Sequence, residues 1–297
     1  MVNSPHSAQP ANHLNTTQPV ATKLTGLRYI PRWIAGVLCY AAFGLGGLLS
    51  SLTILPILRY WPGTPQARTA RVQRTVSLMF RGFVAMLSGA GVINVSTKNL
   101  HLLQHVQGHI VIANHPTLVD VVVLISLMPN AGCIVKQGLW RNPFIRGVLS
   151  SVGYIPNRSA KLLLQDCKQV LTNTTNLVIF PEGTRTLVGS VINPFARGAA
   201  NIAIRTQSDI LPVVLRTDVP GLTKQQAWYQ IPRQTINMSV EIGSRVLHHD
   251  YKITQGNEAK MARQLTRDLQ QFYLNSLSNP IDSHTDKKQN NELTQPN

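Results

Sequence analysis

From Ile34 to Leu58 the chain runs for 25 residues without a charge, and any fold it adopts must hide that run in a bilayer or in a core. At about 1.5 Å per helical residue, the run is long enough to cross a hydrocarbon layer about 30 Å thick. Arg28, Arg32 and Trp33 flank its start, and Arg59, Tyr60 and Trp61 its end. Cations and aromatics of this kind sit at a membrane–water boundary. The run lies too far from Met1, and is too cationic beyond its end, for an ordinary cleaved signal peptide. The expectation is a membrane-associated segment that spans the bilayer or dips into one leaflet, with Gly44, Gly46, Gly47, Ser50 and Ser51 permitting a bend.

Charge narrows the possible partners. The 28 basic and 12 acidic residues give a formal net charge of +16, and residues 1–119 hold nine Lys or Arg but no Asp or Glu. Such a region is drawn to phospholipid headgroups, an acidic carrier protein or nucleic acid. Nucleic acid fits worst. The arginines flank an apolar run, aromatic residues make up only 6%, and no zinc-finger or RNP-like pattern occurs. Cys39, Cys133 and Cys167 are widely spaced and form no CxxC pattern, which argues against a disulfide framework and a cysteine-based zinc site. The nine histidines show no HExxH-like spacing, so no metal is expected.

Patterning divides the rest of the chain. Residues 1–22 are polar and Pro/Asn/Thr-rich, as are residues 278–297, and both are expected to be disordered tails. Residues 23–90 form the membrane-associated helical segment. Within it Thr64-Pro65 reads as an N-cap and a first-position proline. Arg68, Arg71 and Arg74 then face away from a stripe of Val72, Val76, Met79, Phe80, Phe83 and Leu87, a pattern suited to a helix on a bilayer surface.

Residues 91–277 alternate short apolar runs with helical patterns. Strands are expected at 93–97, 109–113, 133–136, 153–156, 177–180, 211–216 and 236–242. Helices are expected near 118–128, 142–151, 160–173, 194–206 and 257–277. The alternation predicts an α/β fold with a largely parallel central sheet flanked by helices.

Two strands run straight into polar turns. In His109-Ile-Val-Ile-Ala-Asn-His-Pro-Thr-Leu-Val-Asp120, an apolar strand ends at Asn114-His115, and Thr117 can cap the next helix. Asp120 falls in that helix's first turn, within reach of the His115 imidazole. A carboxylate on one ring nitrogen fixes the tautomer and leaves the other nitrogen as a general base. The C-terminal ends of parallel strands are where open α/β sheets place their sites. In Asn176-Leu-Val-Ile-Phe-Pro-Glu-Gly-Thr-Arg-Thr186, Gly183 allows close backbone approach and Arg185 can grip a phosphate with two parallel hydrogen bonds. Glu182 can fix the arginine or accept from a substrate hydroxyl. A third stretch, Val152 to Arg158, delivers Arg158 to the same sheet edge, and Ile210-Leu-Pro-Val-Val214 is expected to shape the pocket wall.

The order His115-x4-Asp120, Gly153-Tyr-Ile-Pro-Asn-Arg158, Phe180-Pro-Glu-Gly-Thr-Arg185 and Leu211-Pro-Val213 resembles the four motifs of the glycerophospholipid acyltransferase family, which includes the 1-acyl-glycerol-3-phosphate acyltransferases. The resemblance covers about residues 90–245 and extends to Asn193-Pro-Phe-Ala-Arg-Gly-Ala199. It implies acyl transfer from acyl-CoA or acyl carrier protein, each a co-substrate rather than a cofactor, to a lysophospholipid hydroxyl without an acyl-enzyme. His115 would be the base and Asp120 its partner. Arg158 and the turn of Glu182, Gly183, Thr184 and Arg185 would meet the acceptor phosphate. The resemblance further implies membrane phospholipids as partners and a place at the inner membrane, with the catalytic region on the cytoplasmic side. Pro116-Thr117 departs from the commoner first motif but keeps a hydroxyl. Pro156-Asn157 makes the second motif irregular, so a different lysolipid acceptor stays open, as does a catalytically silent lipid-binding relative.

Overall fold

The computed structural model describes residues 26–141, 143–251 and 256–278. The tails expected at 1–22 and beyond residue 278 lie outside the described residues. Ser278 itself is the last residue of a helix. Three helices come first: α1 (Tyr29–Leu52), α2 (Ile54–Tyr60) and α3 (Pro65–Gly89). Strands β1 (Ile93–Lys98), β2 (Ile110–Ala113), β3 (Ala131–Lys136), β4 (Ile155–Asn157), β5 (Asn176–Ile179), β6 (Ile210–Thr217) and β7 (Ile236–Ile242) follow. Among and after them lie α4 (Leu100–Gln104), α5 (Asp120–Leu127), α6 (Pro143–Val152), α7 (Ala160–Thr172), α8 (Gly198–Thr206) and α9 (Glu258–Ser278).

The strands form one seven-stranded sheet in the order β1-β7-β6-β2-β5-β3-β4. Only the β6–β7 pair is antiparallel. The two central strands β2 and β5 are buried throughout, because helices cover both faces. Alternate residues serve the two faces, as the period of a strand requires. Val111, Ala113, Val178, Leu211 and Val213 pack with α3 and α5. Ile110, Ile112, Leu177, Ile179 and Ile210 pack with α7, α8 and α9. The edge strand β1 carries exposed polar residues, and the other edge, β4, is only three residues long. Both features discourage further pairing.

The apolar N-terminal run differs in form from the single segment expected. Helix α1 passes unbroken through Gly44–Ser51, and the break falls at Thr53, with φ −121° and ψ −76°. Pro56 explains the position, since its ring clashes with the carbonyl four residues earlier, at Leu52. One face of α1 is docked on the domain. Tyr29 donates to the Ile231 carbonyl, Arg32 to the Gly91 carbonyl, and Trp33 to the Tyr229 carbonyl at 3.0 Å. Gly36 sits so close to Ile231 that a Cβ there would lie 2.8 Å from its Cδ1. Further along, Phe43 stacks on Phe83 at 4.1 Å. At the far end, Leu55 is buried and Arg59 reaches Ser150 and Ser151 of α6. The remaining face, including Ile34, Leu38, Leu45, Leu49 and Leu52, is exposed. Helix α3 has the expected Thr64 cap on the Ala67 amide, and its Val72, Val76, Phe83 and Leu87 join the sheet's own core.

Candidate active site

The β2 and β5 strands are hydrogen-bonded neighbours that end side by side, so the turns that follow them meet. As β2 leaves the sheet, the buried Asn114 side chain replaces its backbone ladder. Its amide donates to the Leu215 carbonyl and its oxygen accepts from the Leu215 amide, both at 2.8 Å. This fixes where His115 begins. Nδ1 of His115 lies 2.7 Å from Oδ2 of Asp120, which is wholly buried at the first residue of α5. The same oxygen accepts from the Thr117 amide at 2.8 Å, and Oδ1 accepts from the Thr117 hydroxyl. Thr117 therefore serves the aspartate rather than capping the helix, whose N-cap is Val119 without a side-chain bond. Burial pushes the Asp120 carboxyl above the ordinary carboxylate range, against the pull of its bonds to His115 and Thr117. The His115 ring packs on Phe180, with centroids 4.4 Å apart, and its side chain keeps 17% of its exposure. Nε2 has no hydrogen-bond partner among the described residues, so the ring offers that nitrogen to a ligand.

The β5 turn is held from inside. Gly183 closes a turn on the Phe180 carbonyl at 3.0 Å, with Pro181 at its second position and φ +68° at the glycine. The buried carboxylate of Glu182 accepts from the His115 amide at 2.8 Å, the Asn193 amide at 2.8 Å and the Thr186 hydroxyl. The Thr186 amide then donates to the His115 carbonyl at 2.7 Å. Glu182 thus grips the backbone of His115, not Arg185. Replacing it with alanine leaves two backbone N–H groups without an acceptor and is expected to cost about 2–5 kcal/mol. Urea denaturation of the purified variant measures that loss.

Arg185 lies at this cluster. Its Nη1 donates to the carbonyls of Leu222 and Thr223, at 3.1 and 2.7 Å. The Leu222 carbonyl also accepts from the Leu118 amide, which places the guanidinium beside the His115–Asp120 turn. Its Nε and Nη2 have no partner among the described residues. Gly183 is exposed and Thr184 half-buried at the same mouth. Arg158 is placed elsewhere. It follows β4, three strands from β2, or about 14 Å at the usual strand spacing. Its Nη2 pairs with Asp166 of α7 at 2.5 Å, and it lines a separate cleft of about 820 Å³ with Arg146 and Trp140. Asn114, Thr186 and Asn193 received no role from the sequence. The signal they carried is that of short amide and hydroxyl side chains in turns leaving apolar strands, where they bond to backbone.

The pattern of the family described as Acyltransferase matches residues 94–216. The chain is 37% identical over 112 residues to a 1-acyl-sn-glycerol-3-phosphate acyltransferase of Helicobacter pylori, covering 36% of this chain and 47% of that one. It is 31% identical over 109 residues to the chloroplastic enzyme BAT2 of Brassica napus, covering 35% and 31%. It is 24% identical over 148 residues to the alpha enzyme of Mus musculus, covering 47% and 51%. The chain thus spans about a third to a half of the length of these relatives. A crystal structure of the 1-acyl-sn-glycerophosphate acyltransferase PlsC from Thermotoga maritima superposes with a TM-score of 0.61 at 17% identity, covering 81% of this chain and 97% of that one. That likeness is one of fold. The family pattern lies across β1 to β6 and takes in both turns at the His115 cluster, so over that region the chain is similar to the acyltransferase family.

Proposed function

We propose that the protein moves an acyl group from a thioester, acyl-CoA or acyl carrier protein, to a lysophospholipid hydroxyl. The proposed acceptor is 1-acyl-glycerol-3-phosphate, the molecule named for its curated relatives, and the product is then phosphatidic acid. One observation carries the reading: a histidine held through Nδ1 by a buried carboxylate at 2.7 Å, with Nε2 left without a hydrogen-bond partner among the described residues. The acceptor hydroxyl donates to Nε2. As its oxygen attacks the thioester carbonyl carbon, the proton passes to Nε2 and the imidazolium is stabilised by Asp120. The tetrahedral intermediate then expels the thiolate, which takes that proton and restores neutral His115. A thiolate leaves readily, so one base suffices and no acyl-enzyme forms. Purified protein offered a panel of lysolipids with labelled acyl-CoA and acyl carrier protein, with products identified by mass, tests the reading. Absence of any acylated lysolipid would overturn it, and acylation of another lysolipid would replace the acceptor.

The phosphate is assigned chiefly to Arg185, with Gly183 and Thr184 at the same mouth. A hydrogen bond to a charged group is worth about 1.5–3 kcal/mol, so Arg185→Ala is expected to raise KM for the acceptor about 10- to 100-fold and leave KM for the donor nearly unchanged. Arg158, already in a part-exposed ion pair, is expected to change acceptor KM by less than about threefold on substitution by alanine. Steady-state kinetics with each substrate varied separately reads both.

We further propose that α1 and α2 seat the protein on one leaflet rather than cross it. The segment Gly26–Tyr60 is apolar enough for a membrane, and only 11% of its most apolar window is buried. Yet Tyr29, Arg32 and Trp33 at one end and Arg59 at the other are all bonded to the same domain. A segment tethered at both ends to one body has both ends on one side of the bilayer. Its exposed leucines and isoleucines then enter the acyl boundary side-on.

A further inference from the structure

A pocket of about 360 Å³ opens between α2, the first turns of α3 and the end of α6. It shares no residue with the His115–Asp120 group. Its polar lining consists of guanidinium and hydroxyl groups: Arg59, Tyr60, Arg68, Thr69, Ser150 and Ser151, of which Thr69 donates to the Pro65 carbonyl and Ser151 to the Gly147 carbonyl. Arg59 Nη1 is held toward the two serine hydroxyls, at 3.4 and 3.2 Å. Arg68 Nε is shut off from solvent without a hydrogen-bond partner, as is Nη1 of Arg71 one turn further along α3. Among the described residues no carboxylate pairs with any of these three arginines, and residues 1–119 contain no acid to do so. Buried donors of this kind are normally satisfied, and an unpaired one points to a ligand that supplies acceptors. Guanidinium forks beside hydroxyls suit a phosphate. The surroundings indicate its source: Tyr60 lines the pocket, and Ile57 and Trp61 neighbour it on α2 and its end, all three exposed. Tyrosine and tryptophan belong at headgroup depth.

We propose that Arg59, Arg68 and Ser150 bind the phosphate of an anionic phospholipid headgroup and hold the α2 end of the segment at the bilayer surface. The proposal rests on the one-leaflet seating argued above, and the test separates the two. Full-length protein is sedimented with phosphatidylcholine vesicles and with vesicles containing phosphatidylglycerol. The Arg59→Gln/Arg68→Gln variant is expected to lose about 30-fold in affinity for the phosphatidylglycerol vesicles, a factor of about five for each arginine near an anionic surface. Its binding to phosphatidylcholine vesicles should match wild type. The control Arg263→Gln/Arg267→Gln removes the same charge from the exposed face of α9 and should lose less than about twofold, because charges beyond a Debye length from the surface are screened. Ser150→Ala, which leaves the charge intact, should still weaken phosphatidylglycerol binding. An equal loss in the α9 control, or an equal loss on both vesicle types, overturns the site. If inorganic phosphate raises the Tm of wild type but not of the arginine variant, and vesicle binding is the same in both, the ligand is a free phosphate and the lipid assignment fails. Wild type that ignores phosphatidylcholine vesicles altogether refutes the seating, and the site with it.

Discussion

Replacing His115 with alanine is expected to lower turnover by about 10²–10⁴-fold, the contribution of a correctly placed general base. The fold should tolerate the change. What fixes residue 115 is its backbone, through the amide bond to Glu182 and the carbonyl bond from Thr186, and alanine keeps both. The imidazole is itself partly exposed, so its removal opens the site mouth more than it hollows a core. Vesicle binding, which depends on α1 and α2, should be unchanged. The residual rate should exceed that of the uncatalysed reaction, because orientation of the two substrates survives the loss of the base. Initial rates with lysophosphatidate and an acyl thioester, alongside a melting curve, decide the matter. Full activity in a folded variant would remove His115 from the chemistry.

The strands were legible because burial on both faces leaves a short apolar run that little else produces. Each of the seven expected strands lies within about two residues of its place, and Asp120 was readable as the partner of His115 because five residues bring a first-turn carboxylate back onto the preceding strand end. Partners chosen by tertiary approach were not legible. Glu182 stands three residues from Arg185, and nothing local says that its carboxylate turns instead to the backbone of the neighbouring strand's turn. That choice depends on β5 lying beside β2, which the order of strands in the chain does not reveal. Arg158 shows the same effect from the other side. Sequence placed it at the correct sheet edge, but β4 lies at the sheet's margin, and α7 folds Asp166 back onto it. The break in the apolar segment was misplaced for a different reason. Glycines allow a bend without demanding one, whereas Pro56 forbids the helix to continue through Leu52. The insertion of β7 between β1 and β6 left no trace in periodicity at all.

Asp120→Asn tests the pair from the other end, and its two readouts are expected to move apart. Oδ2 of Asp120 accepts two N–H groups, those of His115 Nδ1 and Thr117, while Oδ1 faces a hydroxyl that can donate or accept. An asparagine amide therefore has one good orientation, with its oxygen toward the two N–H groups and its NH₂ toward the Thr117 hydroxyl. In that orientation the proton stays on Nδ1 and Nε2 stays bare, so the base keeps its tautomer and loses only the charge that stabilises the imidazolium. A hydrogen bond to a charged group is worth about 1.5–3 kcal/mol, which sets the expected loss of turnover at about 10- to 100-fold. Loss comparable to that of His115→Ala would instead mean that the amide has flipped and put the proton on Nε2. Stability should not fall in parallel. Burial raises the Asp120 carboxyl above its unfolded value, so between the unfolded and folded values the native state holds more protons than the unfolded state. Over that window stability drops as pH rises, and above it the full cost of an ionised buried carboxylate is present. Asparagine carries no such cost, so at neutral pH the variant is expected to melt at or above the wild-type temperature. Below the unfolded value of an aspartate, where both states of the wild type are protonated, that advantage should vanish. Melting curves from acid to neutral pH measure it, and a variant less stable than wild type at neutral pH would show that the hydrogen bonds, not the charge, govern this site.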